Sequence, residues 1–381
     1  MAMFNPDSKK EEEARNKRLQ KNAKLFNKLM ERIDKKLPFM GMNPVNEASE
    51  KKRFFKEKDY NPVFKYKKAS SCEKLLSKAS ALEIPDSSIR ALLMQRLEKF
   101  KRTNAMLQNL GKDEFTYFSK GIFGKPSPEL VSKAYEILKM EHEKEEQNVE
   151  SKKVFKVMKQ TLESLGLKGW KVDYKKMTSN AAVISSRKQI YVKKGSKVSE
   201  GFLKRVIAHE IGTHVFRSIN GESQPYRMFL TGLPNYLTTE EGLAVNIEEM
   251  HDCLRASTLR AYAGRVIAIN SSLQKGFRGV YDELRNHFDD DFAWRLTIRA
   301  KRGLRDTSKT GAYTKDYLYL EGYYKVKGFL QKEGDGGLRK LYYGKIGIEH
   351  IPLLSQIEGL KEPLFVPNSE EFKKVVDEIK A

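Results

Sequence analysis

The chain has 381 residues, 39% hydrophobic and 32% charged, and its 72 Lys and Arg against 50 Asp and Glu give a net charge of +22. This is a globular composition, neither collagenous nor low in complexity, with room for one large domain or two modest ones. No run of about 18 apolar residues occurs and the N-terminus lacks the basic-then-apolar order of a secretory signal, so the expectation is a cytoplasmic protein without a membrane span.

In chain order, residues 1–70 read as a basic, partly irregular N-terminal arm. Its first 37 residues are helical in pattern but short of apolar periodicity, and the stretch after them carries Pro38, Pro44 and Pro62. Residues 71–165 read as a helical region. Leu75, Leu76 and Leu82, then Leu92, Leu93, Leu97 and Phe100, have the spacing of short amphipathic helices. Ser127, Pro128 and Glu129 supply a cap, a first-turn proline and a first-turn carboxylate to a helix that either continues through the acidic patch Glu141–Glu150 or breaks there before resuming up to Gly166.

Residues 166–381 read as the core. Trp170–Tyr174, Ala182–Ile184 and Gln189–Val192 are short β-rich runs, expected to form a small antiparallel sheet. Helical patterns follow over 199–220, 239–254, 256–271, 276–288, 291–304, 314–331, 336–343 and 369–380. The expectation is an α+β fold, mostly helical, with the sheet placed just before the helix that bears the site.

Charge is unevenly spread. Residues 151–210 carry 15 basic and 4 acidic side chains, so half of the excess lies in this tract, directly before the motif described next. Such a tract either focuses an anionic substrate or is a solvated lysine face. Nucleic acid is disfavoured, because neither zinc-finger spacing nor an RNP-type strand occurs. Cys72 and Cys253 are too few for a disulfide framework or thiolate metal site, so any metal must be held by His and carboxylate.

His209-Glu210-Ile211-Gly212-Thr213-His214 is one residue longer than the H-E-x-x-H zinc motif. On an ideal helix, five-residue spacing separates two side chains by about 140°. Both imidazoles could grip one ion only if the turn were under-wound toward i→i+5 bonding, which Gly212 would ease. Otherwise they are a chance pair. Downstream, Glu241 in Thr238-Thr239-Glu240-Glu241-Gly242-Leu243-Ala244 would complete a two-His, one-Glu ligand set. Thr238 and Glu241 are also spaced as a capping box, so Glu241 could instead serve the helix terminus.

Three separated segments, RVIAHEIGTHVFRSING (205–221), LTGLPNYLTTEEGLAV (230–245) and RAKRGLRDTSKTGAYTKDYLYLEG (299–322), resemble signature stretches of the microtubule-associated tyrosine carboxypeptidase family. With the strand run before them, the resemblance covers roughly 170–330 and is loose over the first 120 residues. It implies a zinc metallopeptidase with one Zn²⁺ per chain, His209, His214 and Glu241 as ligands and Glu210 as general base, with Glu240 the rival of Glu241. It also implies a carboxypeptidase acting on a protein or peptide tail, and the basic tract accommodates an acidic one. The bacterial relatives place Gln directly before the ligand Glu, where this chain has Glu240.

A hydrolase of this kind needs a second oxyanion donor, for which Arg217, Tyr226, Arg227, Tyr319 and Tyr323 are candidates. A terminal carboxylate needs a cation, for which Arg299, Arg302 and Lys315 are candidates, with pairing of Arg299 and Arg302 to Asp306 or Asp316 as the structural alternative. Competing functions are a zinc endopeptidase or amidase and a non-catalytic basic binding module.

Overall fold

A computed structural model describes residues 6–37, 42–85, 89–141, 145–177 and 179–379. Parts of the proline-containing stretch (38–41) and of the acidic patch (142–144) lie outside the described residues, as do the first five positions. The chain opens with α1 (Pro6–Lys36), α2 (Glu47–Lys56), α3 (Glu73–Ser80), α4 (Arg90–Gln108), α5 (Phe115–Phe123) and α6 (Pro128–Leu138). Then come β1 (Val149–Glu150), α7 (Ser151–Ser164), β2 (Lys171–Lys175), β3 (Ala181–Ile184), β4 (Gln189–Lys193) and β5 (Lys197–Val198). The rest is helical: α8 (Gly201–Val206), a π-helical segment (Ile207–Val215), α9 (Phe216–Ser223), α10 (Met228–Thr231), α11 (Leu237–Met250), α12 (Ala256–Ser272), α13 (Phe277–Arg285), α14 (Asp290–Lys301), α15 (Leu318–Leu341), α16 (Ile351–Leu354) and α17 (Glu370–Asp377). The fold is α+β and mostly helical. Among the described residues no helix is long and apolar enough to cross a membrane.

Two compact units are present, and each is assembled from two stretches of chain. The first joins residues up to Lys125 with Ala268–Lys315. Its centre is aromatic: the Phe54 ring lies 5.2 Å from Phe277, 4.8 Å from Tyr281 and 5.1 Å from Trp294. Phe64 donates its backbone N–H to the Arg305 carbonyl at 2.9 Å. Phe26, Leu29, Met30 and Ile33 are buried along α1. The described residues of this stretch thus give Phe26, Phe54 and Phe64 to a core, where the sequence suggests a peripheral arm, because burying each of these rings removes apolar surface from water worth about 1.5–3 kcal/mol. The same packing draws 268–315 into this unit and away from the 166–381 core that the sequence suggests.

The second unit comprises Pro126–Ile267 and Asp316–Ala381. Ser127 caps α6 by accepting the Leu130 N–H at 3.1 Å, with Pro128 in the first turn, as the sequence predicts. α6 ends at Leu138 and α7 starts at Ser151, so the described residues of the acidic patch do not continue the helix. Val154, Met158 and Leu162 of α7 pack with Ile190 and Val192 of β4, and with Leu203, Val206, Ile211 and Val215, in one buried cluster.

The three-stranded sheet has order β2-β4-β3. β3 and β4 are antiparallel, with Ala181 opposite Val192, but β2 and β4 are parallel, with Lys171 opposite Gln189. The sheet is thus mixed, which corrects the antiparallel expectation. Residues 185–188 return the chain as a tight connection, Lys188 adopting φ 50°, so β3 takes the outer edge and β4 falls beside β2 in the same direction. A separate antiparallel pair, β1 with β5, joins Val149 to Val198. α15 unites the two helices expected at 314–331 and 336–343, and Gly334, at φ 59°, marks the kink between them.

Candidate metal centre

The helix bearing the motif runs from Gly201 to Ser223, and its middle nine residues, Ile207–Val215, are π-helical. Widening the turn to i→i+5 is what the five-residue spacing of the histidines demands. The His209 and His214 rings consequently stand on one face, centroids 5.1 Å apart. Gly212 contributes in a second way. A Cβ there would lie 2.7 Å from the Phe372 ring, so its absence lets α17 close over the distorted turn, while the Tyr342 hydroxyl donates to the Gly212 carbonyl at 2.7 Å.

α11 packs against this segment and supplies the carboxylates. One ligand atom from each of His209, His214 and Glu241 lies within 4.8 Å of the others. Thr238 and Glu241 make no capping box, because the helix already starts at Leu237. The face of α11 is set by its crossing with α15: a Cβ at Gly242 would overlap the backbone of Gly322, so the two helices touch through bare glycine.

The neighbouring carboxylates fix the rings. His209 donates Nδ1–H to Glu248 Oε1 at 2.7 Å, and His214 donates Nδ1–H to Glu240 Oε1 at 2.8 Å. Each imidazole thereby keeps Nε2 for a ligand, the arrangement in which an outer carboxylate sets the tautomer and basicity of a metal-binding histidine. Burial opposes charge on His209, but the bond to Glu248 and the charges of Glu248, Glu210 and Glu241 raise its pKa overall. Glu240 is buried, which alone would raise it, yet Lys345, Arg217 and His214 hold it well below the usual carboxylate range. Glu210, Glu240, Glu241 and Glu248 are thus set against Arg205, Arg217 and Lys345 around two imidazoles. A surplus of negative charge, with two nitrogens and a carboxylate converging, suits a divalent cation, and zinc accepts this donor set.

Other residues singled out in the sequence fall in different places. Arg217 is fully buried and all three of its nitrogens are engaged: Nε donates to the Leu341 and Gly344 carbonyls at 3.0 Å each, one terminal nitrogen to Ile346 O at 2.6 Å, and the other to Glu240. That places it in a structural role and not at the substrate, since a fully buried guanidinium whose three nitrogens all hold the fold presents no face to a ligand. Tyr323 is likewise engaged, donating to Glu249 Oε1 at 3.0 Å. Tyr226 is half-buried and Arg227 exposed at the start of α10. Tyr319 stacks on Tyr262, with centroids 5.3 Å apart and planes at 14°. Arg299, Arg302 and Lys315 belong to the other unit, where Arg302 lies over the Tyr313 ring at 4.7 Å.

Two participants stand outside the motifs. Glu248 lies seven residues beyond Glu241, about 700° along α11 and so on the same face, a spacing that could reveal it. Lys345, which donates to Glu240 Oε1 at 2.8 Å, has no local signal. Tyr262 is a third residue of interest: burial raises its phenol, the charges of Glu248 and Glu241 add to this, and Arg205 and Arg265 oppose it, so it lies in electrostatic reach of both groups.

The model of the family described as microtubule-associated tyrosine carboxypeptidase matches residues 52–379, a longer stretch than the motifs alone suggest. Microtubule-associated tyrosine carboxypeptidase 1 of Rattus norvegicus is 29% identical over 188 residues, 47% of this chain and 39% of the relative. The proteins of that name from Homo sapiens and Mus musculus are each 28% identical, again over 47% of this chain and 39% of their own length. The chain therefore spans well under half of the curated relatives it matches.

Proposed function

We infer that the chain, which belongs to the microtubule-associated tyrosine carboxypeptidase family, is a zinc metallocarboxypeptidase that hydrolyses the C-terminal peptide bond of a protein or peptide tail. The observation that carries this reading is the convergence of His209, His214 and Glu241, with both imidazoles locked by outer carboxylates. When bound, one Zn²⁺ per chain would be held by these three residues and would supply the Lewis acidity that activates water and polarises the scissile carbonyl. Glu210, adjacent to His209, takes the proton of the attacking water as the C–O bond forms and then returns it to the departing amine as the C–N bond breaks. Glu248 and Glu240 hold the two rings through both steps.

The relatives' names specify tyrosine, which supports a terminal aromatic residue on the substrate, and the basic tract 151–210 supports an acidic tail. The microtubule association in those names supports the cytoplasmic setting expected from sequence. Mass spectrometry of peptides with varied C-termini after incubation with zinc-loaded protein tests the reading. Loss of a single C-terminal residue is expected. Internal cleavage, or cleavage indifferent to a blocked C-terminus, would overturn it.

A further inference from the structure

A carboxypeptidase must hold a carboxylate, and the cations close to the metal residues are already committed. Arg217 and Lys345 are bound to Glu240, Arg205 lies 3.5 Å from Glu248, and Lys327 donates to Glu249 at 2.7 Å. Arg265 differs from all of these. Its Nη1 is buried without a hydrogen-bond partner, and no carboxylate pairs with it among the described residues. A buried guanidinium N–H left unsatisfied is costly, which makes it a place that asks for an anion.

Its surroundings are built to hold it. Arg265 follows Tyr262 by three residues on α12, so both share one face. The guanidinium carbon sits 4.8 Å from the Tyr262 ring centroid and 4.3 Å from that of Tyr319, and the two rings are themselves stacked. Cation–π contact with two tyrosines fixes the plane of the fork, so little rotamer freedom remains to be lost when a carboxylate is gripped. Tyr262 is the link to the metal residues, since its phenol feels Glu241 and Glu248 as well as Arg265.

We propose that Arg265 receives the carboxylate of the substrate's C-terminal residue, with Tyr262 and Tyr319 clamping its guanidinium from the side. This rests on the carboxypeptidase reading above. It also transfers the role that the sequence suggests for Arg299, Arg302 and Lys315 to a residue outside the signature segments.

The test compares two peptides, identical except for a free carboxylate or an amide at the C-terminus, on the zinc-loaded parent, Arg265→Lys and Arg265→Gln, with metal content and thermal midpoint measured for each. The parent should strongly prefer the acid. Arg265→Gln should lose at least about 30-fold in kcat/KM on the acid, the smaller end of what truncating a buried charge pair costs, with little change on the amide. Arg265→Lys, which keeps the charge and loses the fork, should fall between. Calorimetric binding of N-acetyltyrosine against its amide gives a second readout that needs no turnover, and the acid's advantage should shrink in Arg265→Lys and vanish in Arg265→Gln. If Arg265→Gln does not fold, Arg265→Lys and Tyr319→Leu carry the comparison. A parent that cleaves neither peptide at its C-terminus overturns the carboxypeptidase reading and this role with it. A parent that prefers the acid, while folded variants keep that preference undiminished, overturns the role of Arg265 alone.

Discussion

Glu210 and Glu240 are buried carboxylates beside the two histidines, and their surroundings divide their work. Glu240 is saturated by His214, Arg217 and Lys345, which suits a group that orients a ring. Glu210 is the one that follows His209 directly. Glu210→Gln keeps size and removes the proposed base, so zinc content should persist while kcat falls by about two to four orders of magnitude, as measured by single-residue release from a peptide acid. His214→Ala should instead lose most of the metal, since a three-ligand site deprived of one ligand binds far more weakly. Stoichiometric zinc in that variant, by elemental analysis, would remove the assignment. Glu240→Ala leaves Arg217 and Lys345 buried without their partner, for which the expected loss is about 3–5 kcal/mol in denaturant unfolding.

The π-helical segment is legible in the sequence because five-residue spacing and an α-helix cannot both serve one ion. The cap at Ser127 and the three strands are legible too, each carried by local chemistry. What the sequence withholds are pairings set at long range. Parallel β2 and β4 follow from which strand takes the outer edge, and the burial of Arg217 follows from carbonyls more than 120 residues away. Two element-level variants probe the site helix and its partner. Deleting Ile211 would restore the shorter H-E-x-x-H spacing but rotate α9 by about 100°, pulling Arg217 from its carbonyls; the expected result is loss of the cooperative thermal transition. Gly242→Ala forces α11 and α15 apart, and should cost about 1–3 kcal/mol and weaken zinc affinity through Glu241, measured by competition with a chelator.

Across the molecule, the +22 charge is concentrated where it can act at a distance. Lys152, Lys153, Lys156, Lys171, Lys176 and Lys194 are exposed on α7, on the sheet and in its connections. Reversal of Lys175, Lys176 and Lys193 to Glu should raise KM for a Glu-rich peptide and barely affect a neutral one, with the difference shrinking in 0.3 M salt because exposed charges are screened beyond about 10 Å at 0.1 M. Equal effects on both peptides would return the tract to solvated surface. The discontinuous make-up of the two units bears on how the chain is born. During vectorial synthesis His209, His214 and Glu241 leave the ribosome before Lys345 and the carbonyls of Leu341, Gly344 and Ile346, which seat Arg217 and neutralise Glu240. A nascent chain arrested before Gly344 would hold all three proposed ligands and still lack the frame that aims them, so zinc capture should be a late step of biogenesis, completed only once that distant strip of backbone has docked.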